Sequence, residues 1–297
     1  MASVVAEPVL CPNCGQPLVA RGQLGAVPHH WDELVYRCET CGFGFSNAMD
    51  PRQRRVIVRY PEMNVPVRVR NGLEDALGRA VNTRNRRTKW WKCCSSRSED
   101  ALTWTVARTL EQTGTLEQLI PQKLSESVSG EPSMVLWGVP VGGADAASLA
   151  GDLARISKLI GERPAGRSEP DIIVGWSDLL AIVEAKLDSR NEVKPTSYPG
   201  WPLYYSETAF RVPADSVARS GLYELVRNWR IGCELAGSRS FVLVNLAPTK
   251  LEADVSKLRS VITETPNRHL VTRTWSDALI GAPTEIRDYA KARGAIQ

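Results

Sequence analysis

Two groups of side chains in this sequence have the types and spacing to do chemistry. The first is four cysteines: Cys11 and Cys14 form one C-x-x-C, Cys38 and Cys41 a second, with 23 residues between the inner two. Each pair sits in a short knuckle, CPNCG and CETCG, whose glycine lets the backbone turn its amides toward the sulfurs. Four thiolates complete a tetrahedral Zn²⁺ and leave no open position, so the spacing points to a structural zinc site and not a catalytic one. His29 and His30 lie between the pairs and, with four cysteines already present, are expected at the surface. The second group is Asp171, preceded by Glu169-Pro170, and, thirteen residues later, Glu184-Ala185-Lys186 at the end of the apolar run LLAIVEAK. Residues two apart in a strand share a face, so Glu184 and Lys186 point one way and Ala185 the other. Burying an acid and a base there is unfavourable unless they are paired or bind metal. A hairpin that brings Asp171 beside Glu184 makes two carboxylates converge, a repulsion that a divalent cation relieves.

The elements that must position these groups follow from periodicity and caps. Residues 1–50 are expected to form a zinc ribbon with LVYRC and FGF as short strands, too small to hold a core without its metal. Residues 51–97 form a basic connecting segment, with RVIVRYPEMNVPVRVR extended and Asn71 to Val81 a short helix capped by Asn71. Residues 98–297 form the main domain. There Ser98 caps a helix to about Gln112, with Leu102, Val106 and Leu110 on one stripe and Glu99 on the same stripe. Met134 to Val141 reads as a strand, and Asp145 to Ile160 as a helix ended by Gly161 and Pro164. DIIVGW and LLAIVEAK read as an antiparallel pair turning at Ser177-Asp178, and Leu187 to Pro213 as a long loop with four prolines. Ser216 to Ala236 is an expected helix, FVLVNLA a buried strand, Glu252 to Ile262 a helix, and HLVTRTW a last strand. Helices around a mixed sheet make the class α/β.

Pro170-Asp171, Glu184-Ala185-Lys186 and the helix acid Glu99 together resemble the PD-(D/E)xK nuclease family. The order helix, three strands, helix, strand also follows that family's core, and the resemblance spans roughly Ser98 to Ala247. It implies a restriction-endonuclease-like fold, a mixed central sheet flanked by helices, and hydrolysis of a phosphodiester. Under it Asp171 and Glu184, with Glu99 and the carbonyl of Ala185, hold one or two Mg²⁺ (or Mn²⁺) ions. Lys186 then orients or helps deprotonate the attacking water and steadies the transition state. Asp100 competes with Glu99, because a one-residue shift in helix register exchanges them; Glu99 is favoured by its shared face with Leu102 and Val106. The plainer reading makes Glu184 and Lys186 an edge-strand salt bridge and Asp171 a turn residue. It explains each residue singly but not their joint placement.

With 43% hydrophobic and 24% charged residues among 297, the chain is not disordered. No stretch approaches the roughly 18 apolar residues of a membrane span. The N-terminus lacks the pattern of a signal peptide, and seven cysteines, four of them in C-x-x-C pairs, fit reduced thiols, so a soluble cytoplasmic protein is expected. Three histidines disfavour chemistry built on His triads. The net charge of +4 conceals a block: Pro51 to Ser98 carries thirteen Lys or Arg against three acids, while each flank sums to −3. A phosphate-binding surface is expected there, made by Arg84, Arg86, Arg87, Lys89 and Lys92 interleaved with Trp90 and Trp91. Those tryptophans either stack on bases or anchor the segment by burial. Tyr223, Arg227 and Arg230 share one side of a later helix, where they contact phosphates or form a solvated face. Trp201, Tyr204 and Tyr205 are expected to pack within the long loop. The function expected is a metal-dependent endodeoxyribonuclease with restriction, anti-phage or mobile-element roles, DNA as partner and RNA as the competing substrate. A homodimer, or a partner protein docked by the ribbon, fits the same reading. The alternatives are a non-catalytic nucleic-acid- or protein-binding module keeping the fold, and a nuclease subunit of a larger complex.

Overall fold

A computed structural model of the chain describes residues 8–126 and 128–297. The first seven residues, which begin both the expected ribbon and the stretch lacking a signal-peptide pattern, lie outside the described residues, as does Ser127. Three short strands, β1 (Tyr36–Cys38), β2 (Phe43–Phe45) and β3 (Val56–Val58), form an antiparallel sheet after the first knuckle. β3 is the one strand in a run expected to be wholly extended. The remainder winds into 3₁₀ turns at Pro61–Asn64 and Val67–Val69, each beginning at or just after a proline whose fixed φ suits a turn start. Trp31, Leu34, Ile57, Val58 and Cys94 form a small core there, against which Trp90 and Trp91 pack.

Helix α1 (Leu73–Arg79) starts after Gly72, not Asn71. It is followed by α2 (Arg86–Cys93), the basic helix, and α3 (Glu99–Thr113), whose Ser98 hydroxyl accepts the Ala101 amide as expected of an N-cap. After a short α4 (Gln122–Ser125), the run expected as one strand is a hairpin, β4 (Ser133–Leu136) and β5 (Val139–Gly142). Its turn is Trp137-Gly138, with φ of 51° and 78°; a two-residue hairpin turn of this kind needs left-handed backbone at both positions. Then come α5 (Ala146–Ile160), β6 (Ile172–Gly175) and β7 (Leu179–Ala185). The long segment that follows contains α6 (Trp201–Tyr204), and the next expected helix is two, α7 (Ala214–Ser220) and α8 (Tyr223–Leu235), separated at Gly221. β8 (Ser240–Leu246), α9 (Glu252–Arg259), β9 (Arg268–Arg273), α10 (Trp275–Ala278) and α11 (Thr284–Ala292) complete the order.

The six strands of the main sheet run β5-β4-β6-β7-β8-β9, antiparallel as far as β7 and parallel from β7 through β9. Central β7 is buried along its whole length because helices cover both faces of the sheet. Ala181 and Val183 pack with Leu102, Val106 and Ile286 of α3 and α11. Leu180 and Ile182 face the other way, toward Leu153 of α5 and Leu225 and Trp229 of α8. The class is therefore α/β, a mixed six-stranded sheet between helices, with the cysteine knuckles at its N-terminal end.

Register places the chemistry. Ile172 pairs with Val183, and one further step sets Asp171 opposite Glu184. Glu184 lies beside Asn245, and Asn245 beside Thr272, so a polar row crosses the α8 face of an otherwise apolar sheet. The basic segment is joined to this body by Asn64: its Nδ2 donates to the carbonyls of Cys93 and Ser95, and its own carbonyl accepts from Tyr289 Oη and Arg293 Nη2 on and just beyond α11. Helix α8 approaches the sheet at Gly232, where a Cβ would sit 2.0 Å from the Phe241 ring. Gly232→Ala is accordingly expected to destabilise the fold by about 1–3 kcal/mol through overpacking. Thermal unfolding reads this as a fall of several degrees, and an unchanged midpoint would show that the ring can move aside.

Candidate active site and metal centre

The four cysteines converge as their spacing requires. All four sulfurs lie within 4.8 Å of one another, with Cys11–Cys41 at 3.3 Å and both Cys14–Cys38 and Cys14–Cys41 at 3.8 Å. A tetrahedron with Zn–S bonds of about 2.3 Å has edges of about 3.8 Å, so the donor set fits zinc. The two knuckles are built alike, Gly15 N–H donating to the Cys11 carbonyl and Gly42 N–H to the Cys38 carbonyl. The backbone N–H of Cys41, and its thiol, pull Cys38 down to about 7, whereas burial and the neighbouring sulfurs push Cys41 up to about 12. Four thiolates this close cannot all ionise without a cation among them. His29 and His30 stay at the surface, outside this cluster, with His30 against Arg87.

The second group meets at the floor of a cleft of about 870 Å³. Lys186 Nζ lies 2.5 Å from Glu184 Oε1, 2.9 Å from Glu224 Oε2 and 3.9 Å from Glu99 Oε1. Asn228 Nδ2 donates to the other Glu184 oxygen at 2.7 Å. Glu99 accepts from the amide of Leu187 and the hydroxyl of Ser189, which fixes the helix acid against the strand end. Asp171 accepts the Ala185 amide at 2.9 Å. Asp100, the competing helix acid, points to a different partner, Lys89 Nζ at 3.2 Å, which also lies 3.6 Å from Glu169 and 4.7 Å above the Trp137 ring. Asp171 thus feels the charges of two lysines, each held by other carboxylates. The left-handed backbone at Trp137 brings that ring beneath Lys89, an instance of local strain at a charged site.

Burial raises Asp171 to about 7 despite both lysines, and raises Glu184 well above the usual carboxylate range with the Glu224 charge adding to it. Burial would raise Glu224 too, but the Lys186 and Arg227 charges overrule it and hold that group down at about 2. Of the two carboxylates that share Lys186, burial pushes Glu184 up while the neighbouring cations hold Glu224 down. Asp171, Glu184 and Glu99 are the carboxylates of this cleft floor that could face a divalent cation. Yet among the described residues only the cysteines bring three or more such ligand atoms within 4.8 Å. Glu184 and Glu99 are each turned to partners of their own.

The basic block divides. Arg84, Arg87 and Lys92 are exposed, and Lys92 lines the cleft. Arg86 donates to the Ala80 carbonyl, and Lys89 is turned inward with its side chain 12% exposed. Trp90 and Trp91 are half-buried anchors and not stacking platforms, because the small N-terminal core claims them. Tyr223 and Arg227 line the cleft, but Tyr223 is buried among Tyr198, Trp201 and Tyr204. Arg230 faces away from the cleft and pairs with Glu234. The loop aromatics Trp201 and Tyr204 pack, as expected, and Tyr205 stacks on Phe210. Glu224, Asn228, Glu169 and the inward role of Lys89 were not read from sequence. The spacing of four between Glu224 and Asn228, on a helix with an apolar face, was the available signal for the first two. Searches of protein-family profiles, of curated proteins and of solved structures find no match to this chain.

Two outcomes follow. The purified protein is expected to carry one zinc per chain, and Cys38→Ser to lose it together with several degrees of thermal stability; elemental analysis checks the first and calorimetry the second. Asp171 has a folded pKa of about 7 against an ordinary 3.8. Its stabilising contribution is complete below 3.8 and is lost as pH rises through about 7. In EDTA, Asp171→Asn should therefore unfold at a higher temperature than wild type at pH 8, with the difference shrinking by pH 5. A difference independent of pH would contradict the assignment.

Proposed function

We propose that the protein is a metal-dependent nuclease acting on DNA, built on a restriction-endonuclease-like core. The observation that supports it most is the register pairing of Asp171 with Glu184, with Lys186 and Glu99 meeting them at the floor of a cleft edged by Arg55, Lys92, Arg97 and Arg167. Asp171, Glu184 and Glu99, with the carbonyl of Ala185, are the residues that would hold Mg²⁺ or Mn²⁺. A cation held there supplies neutralisation of phosphate charge and a more acidic water. The chain's own part is positional. Asn228 orients Glu184, Glu224 keeps Lys186 protonated, and Lys186 presents an ammonium to the attacking water and to the charge growing on the phosphate. The basic rim draws the polyanion in. Helix α2, which packs through Trp90 and Trp91 on the small N-terminal core, lines the cleft, and the four thiolates fit structural zinc.

A non-catalytic nucleic-acid-binding module is the second reading. It is favoured by the closed state of Lys186, whose charge is already met by two carboxylates. Cleavage separates the two. Supercoiled plasmid, linear duplex, single-stranded DNA and RNA are incubated with Mg²⁺, Mn²⁺ or EDTA. Cutting that needs the metal and falls at least a hundredfold in Glu184→Ala and Lys186→Ala, with oligonucleotide binding nearly intact in Lys186→Ala, is the expected result. Binding without cutting under any metal would favour the module.

A further inference from the structure

We infer that zinc at the knuckles decides whether Lys89 stands at the floor of the cleft, the two sites being joined through helix α2. The inference needs the four thiolates to hold zinc and is independent of the reaction proposed above. It starts from the way α2 divides. Arg87, Trp90, Trp91 and Cys94 recur at the i, i+3, i+4, i+7 spacing of one helical stripe. That stripe faces the N-terminal unit: Arg87 meets the His30 ring, and Trp90, Trp91 and Cys94 pack with Trp31, Leu34, Ile57 and Val58. Arg86, Lys89 and Cys93 form the adjoining stripe and face the main body. Arg86 Nε donates to the Ala80 carbonyl, Lys89 reaches Asp100 and Glu169, and Cys93 is buried in the principal core. Thr88 and Lys92, on the remaining side, are exposed. The helix is clasped between two bodies.

Hydrogen-bonded backbone connects the zinc site to this helix. Cys38 ends β1 and pairs with Phe43 of β2, and Phe43 pairs with Val58 of β3. The Val58 amide donates to the carbonyl of Cys94, and the Ser96 amide to the carbonyl of Val56, both at 2.9 Å. The residues that end α2 therefore lie against β3 as a further lane of the small sheet. Five buried residues centre the unit, too few to hold it together once the thiolates lose the metal that gathers them. An eight-residue helix cannot persist alone either, since isolated helices below about 12–15 residues are marginal in water. Asn64 secures only the end of α2. Lys89, a turn earlier, lines the cleft, where water competes for its ion pairs and release restores the freedom of a long side chain. Zinc is accordingly an effector of the cleft. Bound, it favours the state with Lys89 seated beside Asp100 and Glu169; lost, it favours a state with α2 loosened and Lys89 in water.

Lysine acylation of the whole protein reads the two states. Wild type is pulsed with an amine-acylating reagent with zinc bound, after a strong chelator has withdrawn it, and after zinc is returned. Peptide mass spectrometry follows three lysines. Lys92 is exposed and reports the reagent; Lys186, just after β7 and 7% exposed at its side chain, reports the main body. Lys89 labelling is expected to rise about tenfold without zinc and to fall back on its return, with Lys92 and Lys186 changed by less than about twofold. Lys89 still protected after the zinc has gone would overturn the inference. So would Lys89 and Lys186 rising together, which would make zinc a support of the whole fold. Trp91→Ala provides the second arm, removing a side chain that packs in the small core while leaving all four cysteines. This variant is expected to keep one zinc per chain yet to label at Lys89 severalfold faster than wild type with zinc present. Wild-type protection there would overturn the route through α2 and the inference with it.

Discussion

The arrangement depends on one constraint: an ammonium group stands just beyond the end of a strand that is buried on both faces and apolar except for Glu184. Lys186 has to be neutralised where it stands, because a buried unpaired charge is among the most destabilising features a fold can carry. Glu184 beside it is not sufficient, since burial favours the protonated form of that acid. Glu224 and Asn228 complete the set from α8, so the helix must lie close and in one rotational setting. The absence of a side chain at Gly232 is what lets it lie that close. Trp275 Nε1 closes the other side by donating to the Lys186 carbonyl. The packing of two helices against the sheet is thus set by the needs of one cation.

A second cation enters from a different part of the chain. Lys89 belongs to the basic segment, yet its ammonium lies among Asp100, Glu169 and the Trp137 ring, within electrostatic reach of Asp171. Burial opposes its charge, and Asp100 and Glu169 restore it. The segment that looked like a surface for phosphates is therefore part surface and part interior. Its tryptophans hold it to the small N-terminal core, one of its lysines reaches the floor of the cleft, and the exposed remainder forms a wall.

Much of this was legible in the sequence, and what was missed has a common cause. The cysteine cluster, the Ser98 cap, the β6–β7 hairpin and the joint facing of Asp171, Glu184 and Lys186 follow from local rules: spacing, capping and the two-residue period of a strand. The errors arose where a local rule was ambiguous. Met134 to Val141 is a continuous apolar run that reads as one strand, and the left-handed pair Trp137-Gly138 folds it back. Trp90 and Trp91 beside five cations suit stacking and anchoring equally, and tertiary packing decides for anchoring. Glu224 was passed over because its value is non-local: it lies 40 residues from Glu184 in sequence and touches the same Lys186 in space.

Asn64 gives the molecule an order in time as well as in space. Its amide fixes the end of α2 through the carbonyls of Cys93 and Ser95, and its own carbonyl is held by Tyr289 and Arg293, more than two hundred residues further on. Chains emerge from the ribosome N-terminus first and fold as they go. The knuckles, the basic helix and most of the sheet are thus available long before the partners that clamp this wall. Until α11 arrives the cleft has a floor but one unsecured side.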